Sequence, residues 1–125
     1  MGYHVGALWP QDNAIVATGL WRYGRRSQAS RIVAGIIDAA PIFGFRLPET
    51  FAGEDRAGIG IALPYPSSNN PQAWASGSPL LFIRVMLGLD PSDDGLSVAP
   101  QLPPQVQRLT LSSVRVRGHR VDVAS

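Results

Sequence analysis

A mainly α chain of about three helices ending in a short β-hairpin is the fold the sequence predicts, and three observations predict it. Residues 29–40 carry an apolar stripe at helical spacing, residues 72–89 form a long apolar run opened by Asn70-Pro71, and the last dozen residues alternate apolar and polar. Helices come first and strands last, with no internal repeat or low-complexity tract.

The first helix is expected over residues 13–24, "NAIVATGLWRYG", with Asp12 or Asn13 as cap, Ile15, Val16, Leu20 and Tyr23 near the 3.6 period, and Gly24 as stop. In the second, Ser27 caps and Ala29, Ile32, Val33, Ile36, Ile37 and Ala40 form one stripe, with Arg31 and Asp38 outside it. Pro41 closes that helix. Residues 42–69, rich in proline and glycine and without a sustained period, read as one long ordered loop. Asn70 and Pro71 then supply a cap and an N1 proline for the third helix, which runs to about Leu89 with a kink expected at Pro79. Its first half consists of small residues around Trp74, and its second half is apolar enough to demand burial. At the C-terminus "VRVRGHRVDV" alternates around a glycine-containing turn, a β-hairpin with its arginines on the solvent face.

Composition narrows the functional classes. With 45% hydrophobic and 16% charged residues over 125, the chain can form one globular domain with a modest core. All 11 basic residues are arginine, and a formal charge of +2, dispersed and partly balanced by 9 acids, argues against nucleic acid as a partner. The absence of cysteine excludes disulfides and thiolate metal sites, and no His, Asp or Glu spacing suggests a metal or another cofactor. No apolar run reaches the roughly 18 residues of a membrane span, and the N-terminus lacks a signal-peptide pattern, so the expected location is the cytoplasm. Neither a P-loop nor a Ser/His/Asp set is present.

One residue asks for an explanation. In "IFGFRLPETFAG", Glu49 is a single carboxylate among aromatic, aliphatic and glycine neighbours. Burying an ionised carboxylate is costly unless it is paired or hydrogen-bonded, so Glu49 is either solvated or has a task. Three stretches bear on the choice: "HVGALWPQDNAIVATGLWRYG", "RLPETFAG" and "PYPSSNNPQAWASGSPLLFIRVMLGLDP". In that order, over roughly residues 3–91, they resemble the C-terminal part of the amylo-alpha-1,6-glucosidase or glycogen debranching enzyme family, and the ending "LSVAPQLPPQ" onward resembles the short β segment that follows the catalytic domain in bacterial members. The resemblance implies an incomplete (α/α)6 toroid over residues 1–91, supplying about three helices, with a β tail over 92–125. It implies hydrolysis of α-1,6-glucosidic branches, with a branched α-glucan or oligosaccharide as partner in the complete enzyme. By the same resemblance Glu49, in "RLPE", maps onto the general base of an acid/base pair. Partial desolvation in such a loop is expected to strengthen it as a base. The family's general acid is an Asp upstream of the matched region with no counterpart here, so the chain alone is expected to be inactive.

Around Glu49 the residue-level readings differ in sharpness. Trp9, beside Pro10 at a helix entrance, is the better sugar-stacking platform, whereas Trp74 defaults to core. Asp12 reads as a helix cap, and the resemblance adds sugar binding. His4 is structural or donates to a hydroxyl, Gln72 caps its helix or binds sugar, and His119 is solvated in the hairpin turn. Arg46 either steadies Glu49 or pairs with Glu54 or Asp55. The competing class is a non-catalytic remnant or interaction protein. It would self-associate or dock on another chain through exposed helix faces, because the second helix's stripe and residues 80–89 expect partner helices.

Overall fold

The computed structural model describes residues 2–125. Strand β1 (Ala7–Leu8) precedes helix α1 (Pro10–Arg22), helix α2 (Arg26–Ala39) and a 3-10 turn (Ala40–Phe43). Strand β2 (Phe51–Ala52), the one-turn helix α3 (Arg56–Ile59) and helix α4 (Ala73–Leu87) follow, and β3 (Leu89–Ser92), β4 (Gly95–Val98), β5 (Thr110–Val116) and β6 (His119–Ala124) complete the chain. The strands form three separate two-stranded antiparallel sheets, β1 with β2, β3 with β4 and β5 with β6.

This corrects the expected mainly α architecture. Four helices stand beside three sheets, so the chain mixes α and β, and an incomplete (α/α)6 toroid is not what the helices build. Helix α1 packs on both α2 and α4, and α2 also touches α4, so the three enclose one core around Ala14, Ala17, Val33, Ile36, Phe82 and Val85. The glycine- and proline-rich segments still have backbone groups to satisfy, and they do so by pairing in runs of two to four residues, too short to leave a periodic signal.

Helix α1 begins three residues before the expected start because Pro10 occupies the first helical position, where its missing N–H costs nothing. Trp9 is therefore the N-cap. Asp12 lies in the first turn rather than capping it, and Asn13 turns its Nδ2 back to the Trp9 carbonyl at 2.8 Å. At the other end Gly24, with φ +74°, donates to the Trp21 carbonyl while the Arg25 N–H reaches the Leu20 carbonyl at 2.8 Å, a paired closure that uses the left-handed glycine. Helix α2 starts at Arg26, so Ser27 is inside its first turn; it ends at Ala39, just before Pro41 as expected, and Pro41 lies in the 3-10 turn that follows. Ala29, Val33 and Ile36 of the stripe are buried, whereas Ile32 and Ile37 are half-buried.

The expected long loop over 42–69 contains β2, α3 and an isolated bridge between Phe51 and Pro64. Asn70 and Pro71 stay outside α4, whose N-cap is Gln72, its Oε1 accepting from the Ala73 N–H at 2.7 Å. The apolar second half of α4 is buried as its composition demands, at Phe82, Val85, Met86 and Leu87. The helix ends at Leu87, so Leu89 belongs to β3. Leu87, Leu89 and Val123 form a second small core that ties the β segment to the end of α4. The β5–β6 hairpin appears as expected, but its turn is Arg117-Gly118, with φ 49° and 84°, and His119 opens β6 instead of sitting in the turn. The β3–β4 hairpin was not anticipated, since Pro91 within a strand argues against one except at an edge.

Among the described residues no helix is long and apolar enough to cross a membrane, and no group of His, Asp or Glu could hold a metal ion.

Candidate functional site

Glu49 is buried, at 6% exposure. Its surroundings explain how an ionised carboxylate is tolerated there. Asn69 donates to Oε2 twice, from Nδ2 at 2.8 Å and from its backbone N–H at 3.4 Å, and Gln72 Nε2 donates to Oε1 at 3.3 Å. The Tyr3 hydroxyl donates to the same carboxylate. The Glu49 N–H in turn donates to the Asn69 carbonyl at 2.9 Å. Next in sequence, Thr50 is wholly buried, its hydroxyl donating to the Leu8 carbonyl at 2.9 Å and its N–H to Ser68 Oγ at 3.0 Å. The N-terminal segment, the 47–52 segment and the approach to α4 thus meet at one point.

The donors decide the electrostatics. The Tyr3 hydrogen bond, joined by those from Asn69 and Gln72, outweighs desolvation and holds the Glu49 carboxyl below its ordinary value of 4.5. Desolvation therefore does not make Glu49 the strengthened base the sequence led us to expect; it is a firmly ionised carboxylate. Correspondingly, the hydrogen bond to Glu49, with burial and the nearby negative charge, pushes the Tyr3 phenol up to about 12. Since the folded Glu49 pKa is depressed, its contribution to stability is present above the unfolded value and is lost as pH falls through the folded one. Chemical denaturation below about pH 4.5 should show the unsubstituted chain losing stability more steeply with acid than Glu49→Gln, and parallel slopes would show that Glu49 does not titrate as described. Asp38, lowered by Arg56 and Gln105, contributes with the same sign in both proteins and cancels.

Tyr3 connects Glu49 to an aromatic cluster. Its ring meets Trp9 edge-on at 4.8 Å and Tyr65 at 5.7 Å, and Trp9 meets Trp74 edge-on at 6.5 Å. His4 lies flat on Trp9, with centroids 5.3 Å apart and planes at 2°. The expected burial of Trp74 is not what the structure shows. One face of Trp9 is occupied by His4, whereas Trp74, expected in the core, is 49% exposed because the small first half of α4 leaves its surroundings open.

Of the residues predicted for the site, the structure brings together Glu49, Gln72, Trp9, Trp74 and His4. Asp12 is exposed on the first turn of α1 and takes part in no hydrogen bond or ion pair among the described residues. Arg46 is also exposed and pairs with none of Glu49, Glu54 or Asp55. Sequence reasoning missed Tyr3 and Asn69. The signal for Asn69 was the doubled asparagine before Pro71, of which only the second was read, and as a helix cap.

A separate apolar cleft of about 230 Å³ lies beneath α3, with Ile32, Ile36 and Phe51 among its walls and the Asp38–Arg56 ion pair, 2.7 Å long, at its side; Glu49 does not line it.

Residues 89–125, which span β3 to β6, match the family described as glycosyl hydrolase family 65, C-terminal domain. That is a glycoside hydrolase family, and the match covers less than half of the chain. No curated protein matches the chain.

Proposed function

We propose that the chain is the C-terminal part of a glycoside hydrolase that cleaves α-1,6-glucosidic branches, with Glu49 as the carboxylate that activates water and an Asp from a preceding segment as general acid. Residues 1–91 carry the site and residues 92–125 form the accessory β tail. The observation that carries the reading is the similarity of residues 89–125 to the C-terminal domain of a glycoside hydrolase family, lying directly after a segment in which a buried carboxylate stands beside clustered aromatic rings. A base that takes a proton from water has to be ionised beforehand, and the donors around Glu49 keep it so at neutral and mildly acid pH. Trp74 offers the open ring for stacking on a pyranose, with Trp9 and His4 behind it and Asp12 and Gln72 as further subsite contacts. The test is an assay of the longer protein containing this chain on a branched α-glucan: glucose release from α-1,6 linkages supports the reading, and release from other glycosides alone would reject the branch specificity.

Exposed apolar side chains favour a second reading. Ile15, Val16 and Tyr23 of the α1 region and Leu80 of α4 are at least half exposed, which suits docking on another chain or on a second copy. Size-exclusion chromatography of the isolated chain across a concentration series should then show self-association, whereas a monodisperse monomer at every concentration would count against it.

A further inference from the structure

Asn69 grips the Glu49 carboxylate with two of its own donors. Oε2 receives two hydrogen bonds from Asn69, at 2.8 and 3.4 Å, Oε1 receives one from Gln72 at 3.3 Å, and Tyr3 donates to the same carboxylate. Gln72 cannot turn its amide round to improve that contact without giving up its cap, because its own Oε1 is engaged by the Ala73 N–H at 2.7 Å. Asn69 also accepts from the Glu49 backbone, so a single residue grips both the side chain and the main chain of Glu49.

We propose that Asn69 is the positioning residue of Glu49: it anchors Oε2 and fixes the carboxylate plane in which the base presents itself to a proton. This rests on the reading of Glu49 as the base. Fixing the plane matters because a general base must lie within hydrogen-bond reach of the proton it removes. The titratable groups facing Glu49 are Tyr3, in direct contact, and Tyr65 behind it. Neighbouring Ser68 is a natural control: it accepts from the Thr50 N–H at 3.0 Å, tying together the same two segments without touching Glu49.

The chain has only two glutamates, Glu49 and Glu54, so ¹³C-glutamate labelling yields two side-chain carboxyl resonances, with exposed Glu54 as internal reference. Asn69→Ala and the similarly sized Asn69→Leu should each raise the Glu49 midpoint and leave Glu54 in place, whereas Ser68→Ala should move neither. An unmoved Glu49 midpoint in the Asn69 variants, or an equal rise in Ser68→Ala, would overturn the proposal. If the Asn69 variants fold poorly, the unsubstituted chain still decides: the Asn69 side-chain amide protons should titrate with the Glu49 midpoint, and their indifference to it would refute the clamp. In the active longer protein Asn69→Leu should lower kcat by up to about 10²-fold with KM little changed. The NMR arms stand or fall without activity, so a normal Glu49→Gln turnover would remove the base assignment alone, while an unmoved midpoint would remove Asn69 alone.

Discussion

Replacing Glu49 by glutamine in the longer active protein should lower turnover by about 10²–10⁴-fold while leaving sugar affinity largely unchanged. Glutamine keeps the side-chain length and one acceptor oxygen, so it can still receive an Asn69 hydrogen bond, and at neutral pH the loop from Glu49 to Gln72 should hold. What it lacks is an oxygen able to take a proton from water. Loss of kcat with an unchanged KM is the signature of an interaction made only in the transition state. Near-normal turnover would pass the role to another carboxylate, and Asp12 is the next candidate in this sequence. Among the described residues Asp12 is free of ion pairs, although it joins none of the contacts around Glu49.

The largest effect on stability is expected at Gly88. This residue ends α4 with φ +61°, and a Cβ there would be driven into the Ala99 carbonyl, which belongs to the segment leaving β4. The left-handed backbone alone costs an alanine about 1–2 kcal/mol, and overpacking typically adds about 1–3 kcal/mol. The junction has little room to yield, because the Ala99 N–H lies 3.2 Å from both the Leu87 and Gly88 carbonyls and Leu87 is wholly buried in the second core. Thermal denaturation of Gly88→Ala should therefore show a Tm lower by about ten degrees. Gly24→Ala separates the two terms, since Gly24 has φ +74° but open space around its missing side chain. It should fall by clearly less, and equal losses would mean that the contact with Ala99 contributes nothing.

The parts of the fold legible in the sequence are those with a period. The stripe of α2, the apolar end of α4 and the alternation of β5 and β6 each repeat long enough to stand out, and each is present. What escaped lacks length. Two paired residues, such as Ala7–Leu8 against Phe51–Ala52, cannot show an alternation, and their partnership depends on a chain reversal more than 40 residues long. Helix starts moved where the cap falls on another residue than the expected one: on Trp9 rather than Asp12 or Asn13, on Arg25 rather than Ser27, and on Gln72 rather than Asn70. The candidate site divides in the same way. Glu49 drew attention through its neighbours and Gln72 through its place in the first turn of a helix, but Asn69 and Tyr3 become visible only once the 49–72 loop closes and the N-terminus folds over it. Trp74, expected in the core by default, is half open because the small residues of the first half of its helix leave the indole uncovered.

The most direct measurement of the central claim, that a sugar subsite is built around Glu49 and its aromatic neighbours, uses the three tryptophans of the chain. Trp9 and Trp74 belong to the cluster, while Trp21, under Arg26 at the far end of α1, is about 18 Å away along the helix axis and serves as an internal reference. Titrating the ¹⁵N-labelled chain with an α-1,6-branched gluco-oligosaccharide should shift the indole N–H resonances of Trp74 and Trp9 in a saturable manner and leave Trp21 unmoved. Three unmoved indoles at saturating sugar, or a response confined to Trp21, would contradict the account.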